Sequence, residues 1–256
     1  CYIVCFKLTR ERVEVPASSQ KVSASAIFKS IFTNRALLGI IVAAIFVLLS
    51  QLTVMSLAGY VYPNVYGSAA AQSTASLLGT VVMLIVCAPF ASKLAAKFGK
   101  KELAVASSIC SALVWLVCLI WRPASVWGFV ACYILANIGM GFFNTIIWAM
   151  ITDVIDDAEV RSGIREDGTI YSVYSFARKL GQAFSSGLVG ALLGIIGYTE
   201  ATAFDPAVTR GIFNMACIAP IIGFVCIVLA LVFLYPLNKK KVEENVAALA
   251  ARRNSK

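Results

Sequence analysis

The sequence predicts an all-α membrane protein built from six transmembrane helices. Sixty per cent of its 256 residues are hydrophobic, and its mean hydropathy of +0.84 is higher than a soluble domain with a polar surface would reach. Six apolar stretches are each long enough to cross a hydrocarbon layer about 30 Å thick. Basic residues are concentrated in alternate loops, as is typical of multi-pass membrane proteins.

The six predicted spans are separated by turn-forming residues. Pro63 and Gly67 follow the first span, Pro123 follows the third and Pro206 follows the fifth. The apolar pattern places the spans at 36–58, 69–91, 103–121, 126–152, 169–196 and 211–235.

The segments outside the spans complete the predicted organisation. Residues 1–6 are apolar and lead directly into a polar stretch. No starting Met or signal peptide precedes them, so the chain is expected to begin within a longer protein. The sequence predicts the end of a preceding transmembrane helix at 1–6, a cytoplasmic central loop at 7–35, a six-helix transmembrane bundle at 36–238 and a cytoplasmic basic tail at 239–256.

Loop charge predicts the orientation of the chain. Of the 22 Lys and Arg residues, eighteen lie on one side, Arg122 and Arg210 lie on the other, and Arg178 and Lys179 lie within the fifth span. Because cytoplasmic loops carry the positive excess, the carboxyl terminus and the acid-rich loop at 153–168 are predicted to be cytoplasmic. The expected location is the cell (inner) membrane.

The composition argues against several functions. The formal net charge is +9, but basic residues alternate with apolar spans, so no nucleic-acid partner is expected. The absence of His excludes a histidine proton relay and a His-based metal site or triad. The eight Cys residues lie mostly in apolar runs without a C-x-x-C motif and are interpreted as structural thiols. No cofactor or metal site is expected.

The fifth span contains the two ionisable residues that lie deepest in the membrane. A rise of about 1.5 Å per residue from a helix start near Thr169 places Arg178 and Lys179 near the middle of the hydrocarbon layer. Intramembrane charges usually face a bundle interior or a wet cavity, so this pair is a candidate functional site.

The same span has two predicted faces. The polar face holds Arg178 and Lys179 together with Tyr171, Ser172, Tyr174, Ser175, Gln182, Ser185 and Ser186. The opposite face holds Ile170, Val173, Phe176, Ala177, Leu180, Phe184 and Leu188. Small residues are expected to allow close approach of another helix at Gly187, Gly190, Gly194 and Gly197.

Polar side chains in two other spans are expected to help line a cavity. The fourth span contributes Asn137, Asn144, Thr145 and Trp148, and the first contributes Ser50, Gln51, Thr53 and Ser56. An alternative for the isolated hydroxyls is hydrogen bonding to the backbone of their own helix, which applies less to the amides.

Acidic residues are absent from the centres of the predicted spans. Carriers that couple to Na⁺ or H⁺ usually bind the cation with buried carboxylates. Either this chain does not couple, or the coupling residues lie elsewhere. The expected start within a longer protein favours the second interpretation.

The stretch that begins at Asp153 resembles a known transporter family. The run DVIDDAEVRSGIREDGTIYS, followed by FARKLGQA and GIIGY, is similar to the penultimate cytoplasmic loop and eleventh helix of the glycoside-pentoside-hexuronide:cation symporters. These are the melibiose-carrier relatives within the major facilitator superfamily. The run KLAAKFGKK at 93–101 resembles their short basic loop between helices eight and nine. The resemblance follows the whole chain in span order and implies the C-terminal bundle of a twelve-helix major facilitator fold.

The resemblance implies symport of a sugar or glycoside with Na⁺ or H⁺ by alternating access between two six-helix bundles. The partners expected are the substrate, the lipid bilayer and the missing N-terminal half, which would bind most of the coupling cation. Asp153, Asp156 and Arg165 match a cytoplasmic network that holds the inward side closed.

The resemblance also suggests which residues bind substrate. Lys179 matches the family's lysine in helix eleven, and Tyr174 and Ser175 stand near sugar-proximal positions. Asn144 stands where the melibiose carrier has a tryptophan, so Trp148, one turn nearer the cytoplasm, is the expected aromatic contact. The full predicted set is Lys179, Arg178, Gln182, Ser175, Tyr174, Trp148 and Asn144.

Two other functions are weighed against the symporter. A lipid or amphiphile carrier of the same fold would show a lipid-exposed polar groove. A membrane-embedded enzyme would need a general base or metal cluster, for which only the acids at 153–157 are available. For a symporter, two adjacent mid-membrane cations favour a uronate, although an acid from the missing half could neutralise them and leave neutral glycosides open.

Overall fold

The structure is a computed structural model and describes residues 2–8, 34–165 and 167–254. Every regular element in these ranges is helical, which confirms the all-α prediction. The helices are α1 (Tyr2–Leu8), α2 (Arg35–Tyr60), α3 (Ala69–Val82), α4 (Ala88–Phe98), α5 (Lys100–Trp121), α6 (Val126–Ser162), α7 (Asp167–Ile195), α8 (Pro206–Leu229) and α9 (Lys239–Asn254). Most of the predicted central loop at 7–35 lies outside the described residues.

Five described segments are long and apolar enough to cross a membrane. They are Arg35–Val65, Ala69–Phe98, Lys100–Trp121, Val126–Ser162 and Pro206–Leu234. Single π-helical turns extend α2 and α8 and join α3 to α4, which makes three of these segments continuous. The predicted span at 169–196 forms α7, which has 29 residues. It is not one of the five, because Arg178 and Lys179 near its middle lower its hydropathy.

Helix α6 corrects the prediction of an acid-rich loop after residue 152. The helix continues through Ser162, so Asp153 and Asp156 lie on its last turns. No Gly or Pro interrupts residues 142–162. The helix ends where Gly163 takes a left-handed conformation with φ of 75°, because glycine adopts positive φ at no steric cost.

Helix α2 lies at the centre of the bundle and packs against α7 and α8, while α5 packs against α6 and α8. The backbones of α2 and α7 come close at Gly181, where an added Cβ would lie 2.7 Å from the Ile45 carbonyl oxygen. No described helix makes the close approach predicted at the later glycines of α7. An added Cβ on Gly187, Gly190 or Gly194 would have no atom of the described residues within 4 Å.

The two ends of the bundle differ in chemistry. At one end aromatic rings pack together, with Phe129 5.5 Å from Tyr62 and 6.0 Å from Trp115 between ring centroids. At the other end charged side chains converge, and the Lys101 ammonium donates to the Tyr235 carbonyl at 2.6 Å. Helix α9 also lies at the charged end, against α6. These are the ends that loop charge assigns to the outer and cytoplasmic sides.

Candidate functional site

Helix α7 presents a buried stripe that crosses both of its predicted faces. Its buried residues recur every three or four positions and are Ile170, Tyr174, Ala177, Gly181, Ser185, Val189 and Leu193. Phe176 and Phe184, which the sequence places on the apolar face, are 64% and 59% exposed. Small residues on the buried stripe allow α2 to approach, and the phenylalanines are left on the outer surface of the bundle.

Arg178 forms an aromatic cluster with the fourth predicted span. Its guanidinium lies 5.2 Å from the ring centroid of Trp148 on α6 and 5.8 Å from that of Tyr174. It also donates a hydrogen bond of 3.2 Å to the Tyr174 hydroxyl. The Trp148 and Tyr174 rings meet edge to face at 5.6 Å. A cation held against aromatic faces is stabilised by their quadrupoles, so the cluster fixes the direction of the guanidinium.

The second cation of the pair lies on an open surface of α7. Lys179 is exposed, and its ammonium donates to the Gln182 side-chain oxygen at 3.2 Å. Ser175 and Gln182 are half-buried and lie beside Lys179 on this open surface. An exposed ammonium at mid-helix is costly in hydrocarbon, so this surface requires water or another polar protein surface against it.

Asn144 lies one helical turn from Trp148 and bonds to a different helix. Its side-chain amide donates to the Gln51 oxygen on α2 at 3.4 Å. Gln51 also borders a cavity of about 60 Å³, large enough for water. Asn144 thus joins α6 to α2, and the described contacts do not bring it onto the Arg178 cluster.

Three of the isolated hydroxyls follow the alternative raised from the sequence, whereas the buried Thr53 hydroxyl has no hydrogen-bond partner among the described residues. Ser50 donates to the Phe46 carbonyl at 2.7 Å, Thr145 to that of Gly141 at 2.8 Å, and Ser185 to that of Gln182 at 2.8 Å. Each is satisfied within its own helix.

The predicted cytoplasmic network is divided into separate ion pairs. Asp153 is 5% exposed and accepts a 2.6 Å bond from the Lys100 ammonium on α5. Asp156 pairs with Arg165 at 3.0 Å instead. Asp153 therefore joins two helices, whereas Asp156 joins α6 to the loop that follows it.

Arg165 is the centre of the second group. It contacts Glu159 and Asp167, each at 2.8 Å, as well as Asp156. The hydrogen bond to Glu159 raises the pKa of the Arg165 guanidinium above its usual range the most, and those to Asp167 and Asp156 raise it further. The guanidinium therefore remains charged at every physiological pH and holds the three carboxylates together.

Sequence reasoning missed a third group at this end. Asp157 is 1% exposed in the core of the charged end. It pairs with Arg161 at 2.8 Å and accepts a 3.0 Å bond from Asn245 on α9. The spacing of Asp157 and Arg161 by four residues is typical of helical ion pairs and was available as a signal. No local signal indicates Asn245, which lies 88 residues away in the chain.

Membrane-length helices with charged and aromatic side chains between them are typical of membrane transport proteins. A family model described as MFS/sugar transport protein matches residues 1–239. The chain belongs to this family of the major facilitator superfamily, and the resemblance to its glycoside-pentoside-hexuronide:cation symporters is confirmed.

Several curated relatives resemble the chain along nearly its whole length. It is 28% identical over 255 residues to a glucuronide carrier protein homolog of Escherichia coli strain K12, covering 98% of the chain and 54% of the relative. It is 29% identical over 245 residues to an uncharacterized symporter, YjmB, of Bacillus subtilis strain 168, covering 94% and 52%. It is 26% identical over 255 residues to a candidate sulfoquinovose importer of Escherichia coli strain K12, covering 98% and 54%. The chain spans about half the length of these relatives.

Proposed function

We propose that the chain is the C-terminal six-helix half of a secondary transporter that carries a sugar or glycoside together with Na⁺ or H⁺. Three findings support this: family membership, the half-length match to symporters and carriers, and the likeness of residues 153–181 to the eleventh helix region. In this proposal α7 is the fifth of the six spans and crosses the membrane although its hydropathy is lower than that of the others. Its open polar surface faces the N-terminal half across a central cavity, which would satisfy Lys179.

The observation that carries the proposal is the Arg178 cluster. An arginine held against Trp148 and Tyr174 at mid-helix presents a fixed cation and an aromatic surface side by side. Sugars pack their apolar faces on aromatic rings, and carboxylates or sulfonates accept charge-assisted hydrogen bonds from arginine. The relatives named for a glucuronide and for sulfoquinovose, both anionic, support a negatively charged glycoside as the substrate.

The charged end fits the role of a cytoplasmic gate. Asp153, Asp156 and Arg165 would contribute to the closed inward side, and the coupling cation would be bound mainly by the N-terminal half. With the carboxyl terminus in the cytoplasm, this orientation agrees with the excess of basic residues at that end. The location would be the cell (inner) membrane.

Reconstitution tests this assignment. The chain alone should show no uptake driven by a Na⁺ or H⁺ gradient, because alternating access needs a second bundle to move against. The same chain within the complete carrier should accumulate the glycoside. Saturable, gradient-driven accumulation by the isolated chain would contradict the proposal that it is half of a transporter.

A further inference from the structure

The aromatic end of the bundle contains an open cavity of about 350 Å³. Its walls include Tyr66, Pro123 and Phe213, and two arginines, Arg122 and Arg210. The volume falls within the range of roughly 300 to 1,000 Å³ found for small-molecule sites. This cavity lies at the opposite end of the bundle from the Lys100–Asp153 pair.

The charged residues among the described lining of this cavity are both arginines. Arg122 and Arg210 are 88 residues apart in the chain (210 − 122), yet both line the same cavity. They are also the two basic residues that loop charge places on the outer side. No Asp or Glu is among the described lining residues, and neither arginine belongs to a described ion pair. Two guanidiniums without a described ion-pair partner on one cavity favour an anionic ligand.

Arg122 is held in place by its surroundings. One of its guanidinium nitrogens donates to the Asn214 side-chain oxygen on α8 at 3.1 Å. The Tyr66 hydroxyl donates to the carbonyl of the next residue, Pro123, at 2.9 Å. Both bonds cross between elements, so they position the guanidinium relative to α8, whose first turns carry Arg210.

The backbone of Arg122 is strained. Its φ is 48°, and among the described residues it is the one non-glycine residue with positive φ. Helices commonly end with glycine in this conformation, because a side chain raises its energy. An arginine that occupies such a position is a functional candidate, since the strain has to be offset by the surrounding structure.

We propose that this cavity binds the oxyanion group of a small ligand between Arg122 and Arg210, with Tyr66 and Phe213 against the ligand's apolar face. The chemistry is that of a carboxylate or sulfonate on a sugar, captured at the outer end before it reaches the middle of the membrane. The headgroup of an anionic phospholipid at the membrane surface has the same chemistry and is the second source. The site is separate from the Arg178 cluster: capture of a sugar there rests on the proposed function, whereas anion binding by the two arginines does not.

Arginine modification can test the site residue by residue. The chain in phosphatidylcholine nanodiscs is treated with p-hydroxyphenylglyoxal, and adducts are quantified by peptide mass spectrometry. Methyl β-D-glucuronide at about ten times its dissociation constant should slow modification of Arg122 and Arg210 about tenfold by mass action. Methyl β-D-glucoside, the neutral matched ligand, should not. Arg35 at the cytoplasmic end is the internal reference, and protection of Arg178 reports separately on the proposed substrate site.

Two variants and a change of lipid complete the test. Arg122→Gln should abolish protection of Arg210, whereas Arg35→Gln should leave it intact. Protection of both arginines when phosphatidylglycerol is added to the phosphatidylcholine, with none from the glucuronide, would support the site and identify an anionic lipid headgroup as its ligand. Undiminished protection of Arg210 in Arg122→Gln would overturn the two-arginine site. So would the absence of protection by either anion.

Discussion

The Arg178 guanidinium lies 5.2 Å from the ring centroid of Trp148 and joins two helices that otherwise meet little. Helix α7 packs mainly on α2, and this cluster is its principal link to α6. Cation–π contacts contribute about 0.5 to 2 kcal/mol, more when water is excluded. The contact therefore fixes both the arginine and the distance between two helices expected to line the substrate path.

Replacing Trp148 should weaken substrate binding in the complete carrier. Trp148→Ala removes the aromatic surface and frees Arg178, so we expect an affinity loss of about 1 to 2 kcal/mol, or roughly tenfold. Trp148→Phe should retain part of the affinity because a ring remains. Trp127→Phe, at the aromatic end, is the control and should leave affinity unchanged. Equal substrate affinity in Trp148→Ala and wild type would show that Trp148 does not contribute to substrate binding.

Lys179 is expected to bind substrate directly. Lys179→Ala should lower substrate affinity by about 1.5 to 3 kcal/mol, the contribution of a charged hydrogen bond. Equilibrium binding to the complete carrier measures the loss. Lys93→Ala, in the predicted basic loop, provides a matched loss of one ammonium. A loss of the same size in both variants would indicate a general electrostatic effect instead of contact.

The Lys100–Asp153 pair should control transport rate and not the choice of cation. Asp153→Asn and Lys100→Gln each remove the same interhelical bond, so their effects on rate should be strongly non-additive. Asp156→Asn breaks a different pair and should combine additively with Lys100→Gln. Uptake is measured with Na⁺ and with H⁺ gradients. A change of coupling ion in Asp153→Asn would place a cation ligand in this half. That result would contradict the proposal that the N-terminal half binds the cation and that Asp153 belongs to the gate.

The third charged group should hold α9 against α6. Asn245→Ala removes the amide donor to buried Asp157 and should destabilise this docking by about 1 to 3 kcal/mol. Faster amide hydrogen exchange in α9 would report the change. Glu243→Ala, an exposed position on the same helix, is the control. Unchanged exchange in Asn245→Ala would show that the bond does not hold the helix in place.

The helices of the bundle were largely predictable because hydrophobic length is a local property. Five of the six predicted spans have membrane-crossing length and hydropathy in the structure. The end of α6 was missed because its acidic residues suggested a loop. The sequence did contain the correct signal, since no Gly or Pro occurs between residue 142 and Gly163, where the helix ends. Local composition thus located the membrane segments better than their ends.

The candidate site was predictable in its members but not in its pairing. The sequence indicated Arg178, Trp148 and Tyr174 separately, and the structure brings them together. It did not indicate Lys100 as the partner of Asp153, because that bond joins residues 53 apart on different helices. Such pairs are set by helix packing, which periodicity alone does not specify.

The central claim is that Arg178 holds the anionic group of a glycoside, and competition for uptake by the complete carrier tests it most directly. Methyl β-D-glucuronide should compete better than neutral methyl xylosides and galactosides. Arg178→Gln should reduce that preference about tenfold or more, since a charged hydrogen bond contributes roughly 1.5 to 3 kcal/mol. Neutral glycosides that compete while the glucuronide fails, with the same order in Arg178→Gln, would contradict the claim.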